Sequence, residues 1–156
     1  MTSELQALYQ EVLLDHYRKP RHFGELAAPT GHAEGHNPLC GDRIEIDVRV
    51  DGDTLTDIAF RGAGCAISTA SASLMSEAIA GHPLTEVRAL SERFRKALTG
   101  KTAPDAADLG KLEALLGVRD FPMRVKCATL AWHALASALA DQPPDGARPI
   151  VPVSTE

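Results

Sequence analysis

Apolar positions over residues 4–19 recur at helical spacing. Leu5, Leu8, Val12 with Leu13, and His16 with Tyr17 fall on one side of a predicted first helix. Ser3 stands where an N-cap belongs, and Pro20 ends the segment. Residues 20–39 are rich in Pro, Gly and His and read mainly as loop, with a short edge strand expected near Thr30–Gly35. The period then changes to two. In Arg43–Val50 the apolar Ile44, Ile46, Val48 and Val50 alternate with Arg43, Glu45, Asp47 and Arg49, which predicts a half-buried strand. Asp51-Gly52-Asp53 is a turn signal. Leu55–Arg61 returns as the second strand of a hairpin, with Ile58 and Phe60 inward. One face of this sheet is polar, so helices are expected on the other face only.

Helical patterns fill most of the remainder. Residues 65–80 are crowded with Ala and Ser, which permit close helix packing, and end at Gly81. Leu84–Leu98 is amphipathic and ends at Gly100; Thr99–Asp108 is a polar connection; Leu109–Leu116 is a short helix. Asp120 is expected to N-cap a last helix with Pro122 in its first turn, running to about Ala140. Residues 141–156 contain four prolines and little periodicity, and are expected to be mobile or draped on the surface. The pattern predicts one domain over residues 1–140. Its class is α+β: a small antiparallel sheet of about three strands with helices packed on one face.

Composition narrows the function classes. A net charge of −5 argues against non-specific binding to nucleic acid or anionic lipid. No apolar run approaches transmembrane length, and the first residues lack a signal peptide's charged start and apolar stretch, so a cytoplasmic protein is expected. In that compartment the three cysteines stay reduced and read as ligands or reactive groups before they read as a disulfide and a spare. No phosphate-cradling glycine loop or dinucleotide fingerprint occurs, and no nucleophile–base pair stands out.

The cysteines carry the chemistry. Cys40 and Asp42 lie two apart where a loop enters the first strand, a spacing that turns both side chains the same way. Cys65 follows Gly62-Ala63-Gly64 at a strand-to-helix junction, near the positive end of the helix, a place suited to an anionic sulfur ligand. The hairpin returns residue 65 toward residue 42. Cys127 lies about two turns into the last helix, beside Arg124 and Lys126, whose charge would offset an anionic cluster. Three thiolates and one carboxylate form a tetrahedral set suited to zinc. The alternatives are three separately buried cysteines, with Asp42 a turn residue beside Gly41. His22, His32 and His36 precede Cys40 on the loop and can approach the site, whereas His16 reads as a satisfied core residue.

The order of motifs resembles a known family. Asp15-His16-Tyr17, Pro20-Arg21-His22-Phe23-Gly24, Asn37-Pro38-Leu39-Cys40-Gly41-Asp42-Arg43, Phe60-Arg61-Gly62-Ala63-Gly64-Cys65-Ala66-Ile67-Ser68 and Arg124-Val125-Lys126-Cys127-Ala128-Thr129 together resemble the iron–sulfur scaffold-like proteins of the IscU/NifU group, most of all the SufU branch. The resemblance covers residues from about 5 to 140. Scaffolds of the IscU type carry histidine directly before the third cysteine, where this chain has Lys126, and the stretch from Leu84 to Asp108 looks like the SufU insertion. The resemblance implies a zinc-dependent sulfur carrier. It would accept sulfur from the persulfide of a SufS-type pyridoxal-phosphate cysteine desulfurase and deliver it to downstream Suf assembly proteins. By the same resemblance Cys40, Asp42, Cys65 and Cys127 bind Zn2+, and Cys40 is the acceptor thiol. An iron–sulfur cluster scaffold is the first alternative and a structural zinc adaptor the second.

Overall fold

The computed structural model describes residues 3–38, 41–100, 109–140 and 151–154. Helix α1 (Ser3–Arg18) leads through an irregular segment into strand β1 (Gly31–Asn37). Strands β2 (Asp42–Asp51) and β3 (Thr54–Ala63) form the hairpin. They are followed by α2 (Ala66–Ile79), α3 (Leu84–Leu98), a 3-10 helix (Gly110–Val118), α4 (Pro122–Leu139) and a short strand β4 (Val151–Ser154). The sheet order is β3-β2-β1-β4. β1, β2 and β3 pair antiparallel, as the alternating pattern predicts, and β4 adds in parallel beside β1.

The alternation in β2 produces the two-faced sheet directly. Ile44, Ile46 and Val48 are buried together with Ile58 and Phe60 of β3, and α4 lies against β1 and β2. Leu130 of α4 meets the sheet at Gly35, while the buried Trp132 faces the other helices, its Nε1–H bonding Ser71 of α2 at 3.2 Å and its ring stacked on Phe94 of α3 with centroids 4.6 Å apart. Each fully buried Leu, Ile or Phe of this layer contributes roughly 1.5–3 kcal/mol through removal of its apolar surface from water.

The opposite face is polar and stitched by charge. Asp47 is almost completely buried; it is hydrogen-bonded to His32 Nδ1 on β1, accepts from Arg61 Nη1 on β3 at 3.0 Å, and accepts from the Leu26 backbone N–H at 3.2 Å. Burial alone would raise its carboxyl pKa, but these donors outweigh burial and hold it below the ordinary carboxylate value. Residues 22–30 carry the chain along this side. His22 and Gly24 bond the backbone of Phe60, and Thr30 N–H bonds the carbonyl of Val48.

Several expectations need correction. β1 is longer than the expected edge strand and lies inside the sheet, because β4 pairs on its outer side. Leu8 (54% exposed) and Tyr17 (45% exposed) point to solvent, while His16 (1% exposed) is turned inward against α2. Phe121 takes the N-cap position of α4 in place of Asp120, with Pro122 at the first helical position. Of the segment expected to be a mobile or surface-draped tail, Val151–Ser154 is paired in the sheet; the remainder lies outside the described residues, as do residues 101–108 of the polar connection.

Two predictions follow from this packing. A Cβ at Gly62 would stand 2.0 Å from the carbonyl oxygen of Arg43, and its φ of +148° is one that other residues rarely adopt. Gly62→Ala should therefore destabilise by at least about 2 kcal/mol, read from chemical denaturation; an unchanged midpoint would contradict the β2–β3 pairing at this position. The second concerns His16, whose Nδ1 lies 2.7 Å from Ser73 Oγ. Burial, reinforced by the Arg21 cation, pushes its pKa below the ordinary histidine value, with Glu77 and Asp15 partly opposing. Burial and Arg95 do the same to His133. The unfolded chain then binds protons that the native state refuses, so stability falls as pH drops through about 6.5 and continues to fall until the native histidines titrate. Melting of the metal-free protein from pH 8 to 5.5 should show this slope, and His16→Gln should flatten it. A variant with an undiminished slope would remove His16 as the cause.

Candidate metal centre

The end of the sheet beside the α2 N-terminus gathers the candidate ligands. Asn37 and Asp42 are the closing pair of the β1–β2 hairpin, and Gly41 N–H bonds the Asn37 carbonyl at 2.8 Å. Asp42 is thus the first residue of β2, with a side chain only 2% exposed. β3 runs back alongside and ends at Ala63, opposite Arg43. Two residues later Cys65 occupies the N-cap position of α2. From the other side α4 packs along α2 and brings in Cys127, which is 5% exposed.

Asp42, Cys65 and Cys127 each offer one ligand atom, and these atoms all lie within 4.8 Å of one another. Cys65 Sγ is 3.6 Å from Asp42 Oδ2. A tetrahedral zinc with bonds of about 2.0–2.3 Å separates its ligand atoms by roughly 3.3–3.8 Å, so the observed separation fits such an edge. The donor chemistry fits as well: two thiols and a carboxylate are a soft and hard mixture that zinc accepts and that calcium or magnesium does not. Three protein groups therefore converge as a metal site does when one position is left to a further ligand.

The carboxylate is held from two directions. Asp42 Oδ1 accepts the Cys65 backbone N–H at 3.0 Å, and Oδ2 is hydrogen-bonded by the Ser68 hydroxyl. The first bond satisfies a backbone donor at the start of α2, where a negative charge is also favoured by the helix dipole. Gly64 makes room for this contact. A Cβ there would stand 3.1 Å from Asp42 Oδ1 and 3.3 Å from the Ser68 Cβ.

Of the residues singled out from sequence, Asp42, Cys65 and Cys127 are brought together. Cys40 lies outside the described residues; in sequence it falls between Asn37 and Asp42. Arg124 is exposed, with its guanidinium 4.7 Å over the Phe121 ring. It lines a groove of about 670 Å³ whose other walls include Tyr9, Leu13 and Leu14 of α1 and Ala66 and Ile67, the residues directly after Cys65. Lys126 is half-buried. No histidine joins the ligand group among the described residues. His32 belongs to the Asp47 network, His16 bonds Ser73, and His82 bonds Glu86 at 3.0 Å. Sequence reasoning passed over Ser68 as part of the site. Its signal was the spacing of three behind Cys65, which returns the side chain to the helix start.

Residues 8–128 match the NifU-like N-terminal domain family. The chain belongs to this family. It is 44% identical over 140 residues to the zinc-dependent sulfurtransferase SufU of Bacillus subtilis, covering 90% of this chain and 95% of that protein. It is also 44% identical over 137 residues to the iron–sulfur cluster assembly scaffold protein IscU of Streptococcus pyogenes, covering 88% of this chain and 86% of that one. A crystal structure from Fervidobacterium islandicum, described as a candidate iron–sulfur cluster assembly scaffold protein for the SUF system, superposes with a TM-score of 0.78. It is 33% identical and covers 88% of this chain and 99% of its own. Among the described residues no helix is long and apolar enough to cross a membrane.

A metal held by groups from β2, α2 and α4 should act as a staple, because it ties the folded chain and has no preformed site in the unfolded one. At free zinc about 100 times the dissociation constant, mass action stabilises by about 2.7 kcal/mol. Calorimetry of zinc-loaded and chelated protein should show the lower melting temperature in the chelated sample. Cys127→Ala should lose most of the difference, and equal melting curves for loaded and chelated wild type would refute the staple.

Proposed function

We propose that this chain is a zinc-dependent sulfur carrier for iron–sulfur cluster assembly, fed by the persulfide of a SufS-type pyridoxal-phosphate cysteine desulfurase. The observation that carries the reading is the convergence of Asp42, Cys65 and Cys127 beside a hairpin connection that contains one more cysteine. Two further features favour transfer. Lys126 stands where a cluster scaffold of the IscU type has histidine, so one potential cluster ligand is missing from the sequence around the site. Helix α3 also fills the stretch between the second and third cysteines that marks the SufU branch.

Cys40, Asp42, Cys65 and Cys127 would complete the zinc shell, and Cys40 would be the acceptor. Bound zinc keeps its cysteine ligands as thiolates at neutral pH. The remaining work falls to the chain. Asp42 and Cys127 are buried on rigid elements and hold the site's geometry. Cys40 is read as the sulfur that leaves because in sequence it stands next to Gly41, between Asn37, the last residue of β1, and Asp42, the first of β2. In the transfer, the Cys40 thiolate attacks the outer sulfur of the partner's persulfide. A new S–S bond forms on Cys40, the partner's S–S bond breaks, and the partner's cysteine leaves as a thiolate, with no net oxidation. Arg124, exposed at the groove that adjoins Cys65, would meet the partner's anionic surface, and Lys126 would offset the charge of the ligand set. The reducing cytosol is the setting in which such thiols stay available.

A scaffold that builds a cluster is the second reading, favoured by the equal identity to a protein named IscU. Metal content separates the two: transfer requires a colourless protein with one zinc per chain, whereas a scaffold would be brown with visible absorbance. In a desulfurase assay with free cysteine, the wild-type chain should raise turnover and carry a persulfide, located by mass spectrometry, on Cys40. Cys40→Ala should abolish the stimulation while remaining folded. Arg124→Ala should weaken stimulation with zinc retained. Full stimulation by Cys40→Ala, or a persulfide confined to Cys127, would overturn the acceptor assignment.

A further inference from the structure

Helix α2 carries four fully buried serines, Ser68, Ser71, Ser73 and Ser76. Three have structural partners. Ser71 donates to the Ala128 carbonyl and accepts from Trp132 Nε1–H at 3.2 Å, joining α2 to α4. Ser73 accepts the Arg21 backbone N–H at 2.9 Å and meets His16, joining α2 to α1. Ser76 donates to the Ala72 carbonyl of its own helix at 2.8 Å. Ser68 differs from all of these, because its hydroxyl lies against Asp42 Oδ2, 3.7 Å from Cys65 Sγ and 3.3 Å from the Cys127 carbonyl. It touches all three members of the ligand group.

We propose that Ser68 is a positioning residue of the metal centre, its hydroxyl fixing the plane of the Asp42 carboxylate so that one lone pair faces the ion. The terminal torsion of aspartate is soft, so the bond from Cys65 N–H to Oδ1 does not by itself take up the rotational freedom of the carboxylate. A second donor on Oδ2 removes the freedom. An ionised carboxylate can only accept, so Ser68 is the donor. It has one proton, and the charged acceptor takes it ahead of the more distant Cys127 carbonyl. Each carboxylate oxygen has two lone pairs, so an oxygen bonded to Ser68 keeps one for a metal. Asp42 is 2% exposed, which leaves water little access to replace the missing donor. Hydrogen bonds of this kind behind a ligand typically govern 10–100-fold in metal affinity.

The inference rests on the metal reading, and the test separates the two. Zn2+ affinity is measured by chelator competition, and Co2+ substitution supplies the ligand-field spectrum. Ser68→Ala should weaken Zn2+ binding by about 10–100-fold and shift the Co2+ bands. Ser71→Ala, which removes a neighbouring buried serine hydroxyl that also joins α2 to α4, should lower stability and leave both metal readouts unchanged. In an Asp42→Ala background, Ser68→Ala should add less than about a twofold further loss, since the two act through one contact. A folded Ser68→Ala protein with wild-type affinity and bands would overturn the proposal, as would an equal loss in Ser71→Ala. Failure of the wild-type chain to bind Zn2+ would overturn the metal reading and this inference with it. Should Ser68→Ala not fold, the zinc-loaded wild type is read by NMR. A slowly exchanging Ser68 hydroxyl proton supports the contact, and its absence overturns it.

Discussion

The contact between the Asp42 carboxylate and the start of α2 is the constraint on which the site depends. It joins the first residue of β2 to the helix that follows β3, so the hairpin's register and the helix's position are fixed together. An ionised carboxylate buried to this degree is tolerable only with donors on both oxygens. Those donors come from the backbone of one cysteine and from a serine one turn further on. The same small volume is then closed by α4, whose close approach depends on the Ala and Ser surface of α2. Sheet, capping and helix packing therefore converge on one point, and the groups that converge there have the chemistry to hold a metal.

Much of this was legible in the chain. The period of two in β2 and β3 gave the hairpin and its two faces, because each residue that breaks the alternation would place a charge in the core. Helix α2 followed from its run of small residues up to Gly81, and α3 and α4 from apolar spacing bounded by Gly100 and Pro122. β1 was less visible, and for a physical reason. Its sequence, Gly31-His-Ala-Glu-Gly-His-Asn37, has little β propensity of its own. It is a strand because β2 offers a complete ladder and because Gly35, without a side chain, admits Leu130 and Ala134 of α4 closely. β4 had only a faint local signal, because Val151 and Val153 favour a strand but stand in a stretch with four prolines, and its pairing partner, β1, is more than a hundred residues away in sequence.

The site divides along the same line. Asp42, Cys65 and Cys127 could be named from residue type and from where strands and helices begin, since hairpin closure brings distant segments together. Ser68 could not be separated from its neighbours in that way. Serines at 68, 71, 73 and 76 look alike in sequence, and only the tertiary partner distinguishes a hydroxyl on a ligand from one on a backbone carbonyl. The histidines show the converse. Their number in the loop before Cys40 suggested possible ligands, yet His32 is taken by Asp47, which needs a donor because its burial would otherwise disfavour its charge.

The distribution of rigidity bears on transfer against storage. Asp42 and Cys127 are buried, and Cys65 is exposed at the N-cap of a packed helix. Three groups held this way set a fixed frame with one side toward solvent. A cluster scaffold gains from a closed shell, because any ligand that leaves exposes iron and sulfide to water. A carrier instead needs one sulfur that can leave the frame and return without disturbing it. In the proposed reading that sulfur is Cys40, which falls in sequence between Asn37 of β1 and Asp42 of β2, and Lys126 stands where a further ligand would tighten the shell. Both features would weaken storage and favour exchange, which is the physical argument for the carrier proposed above.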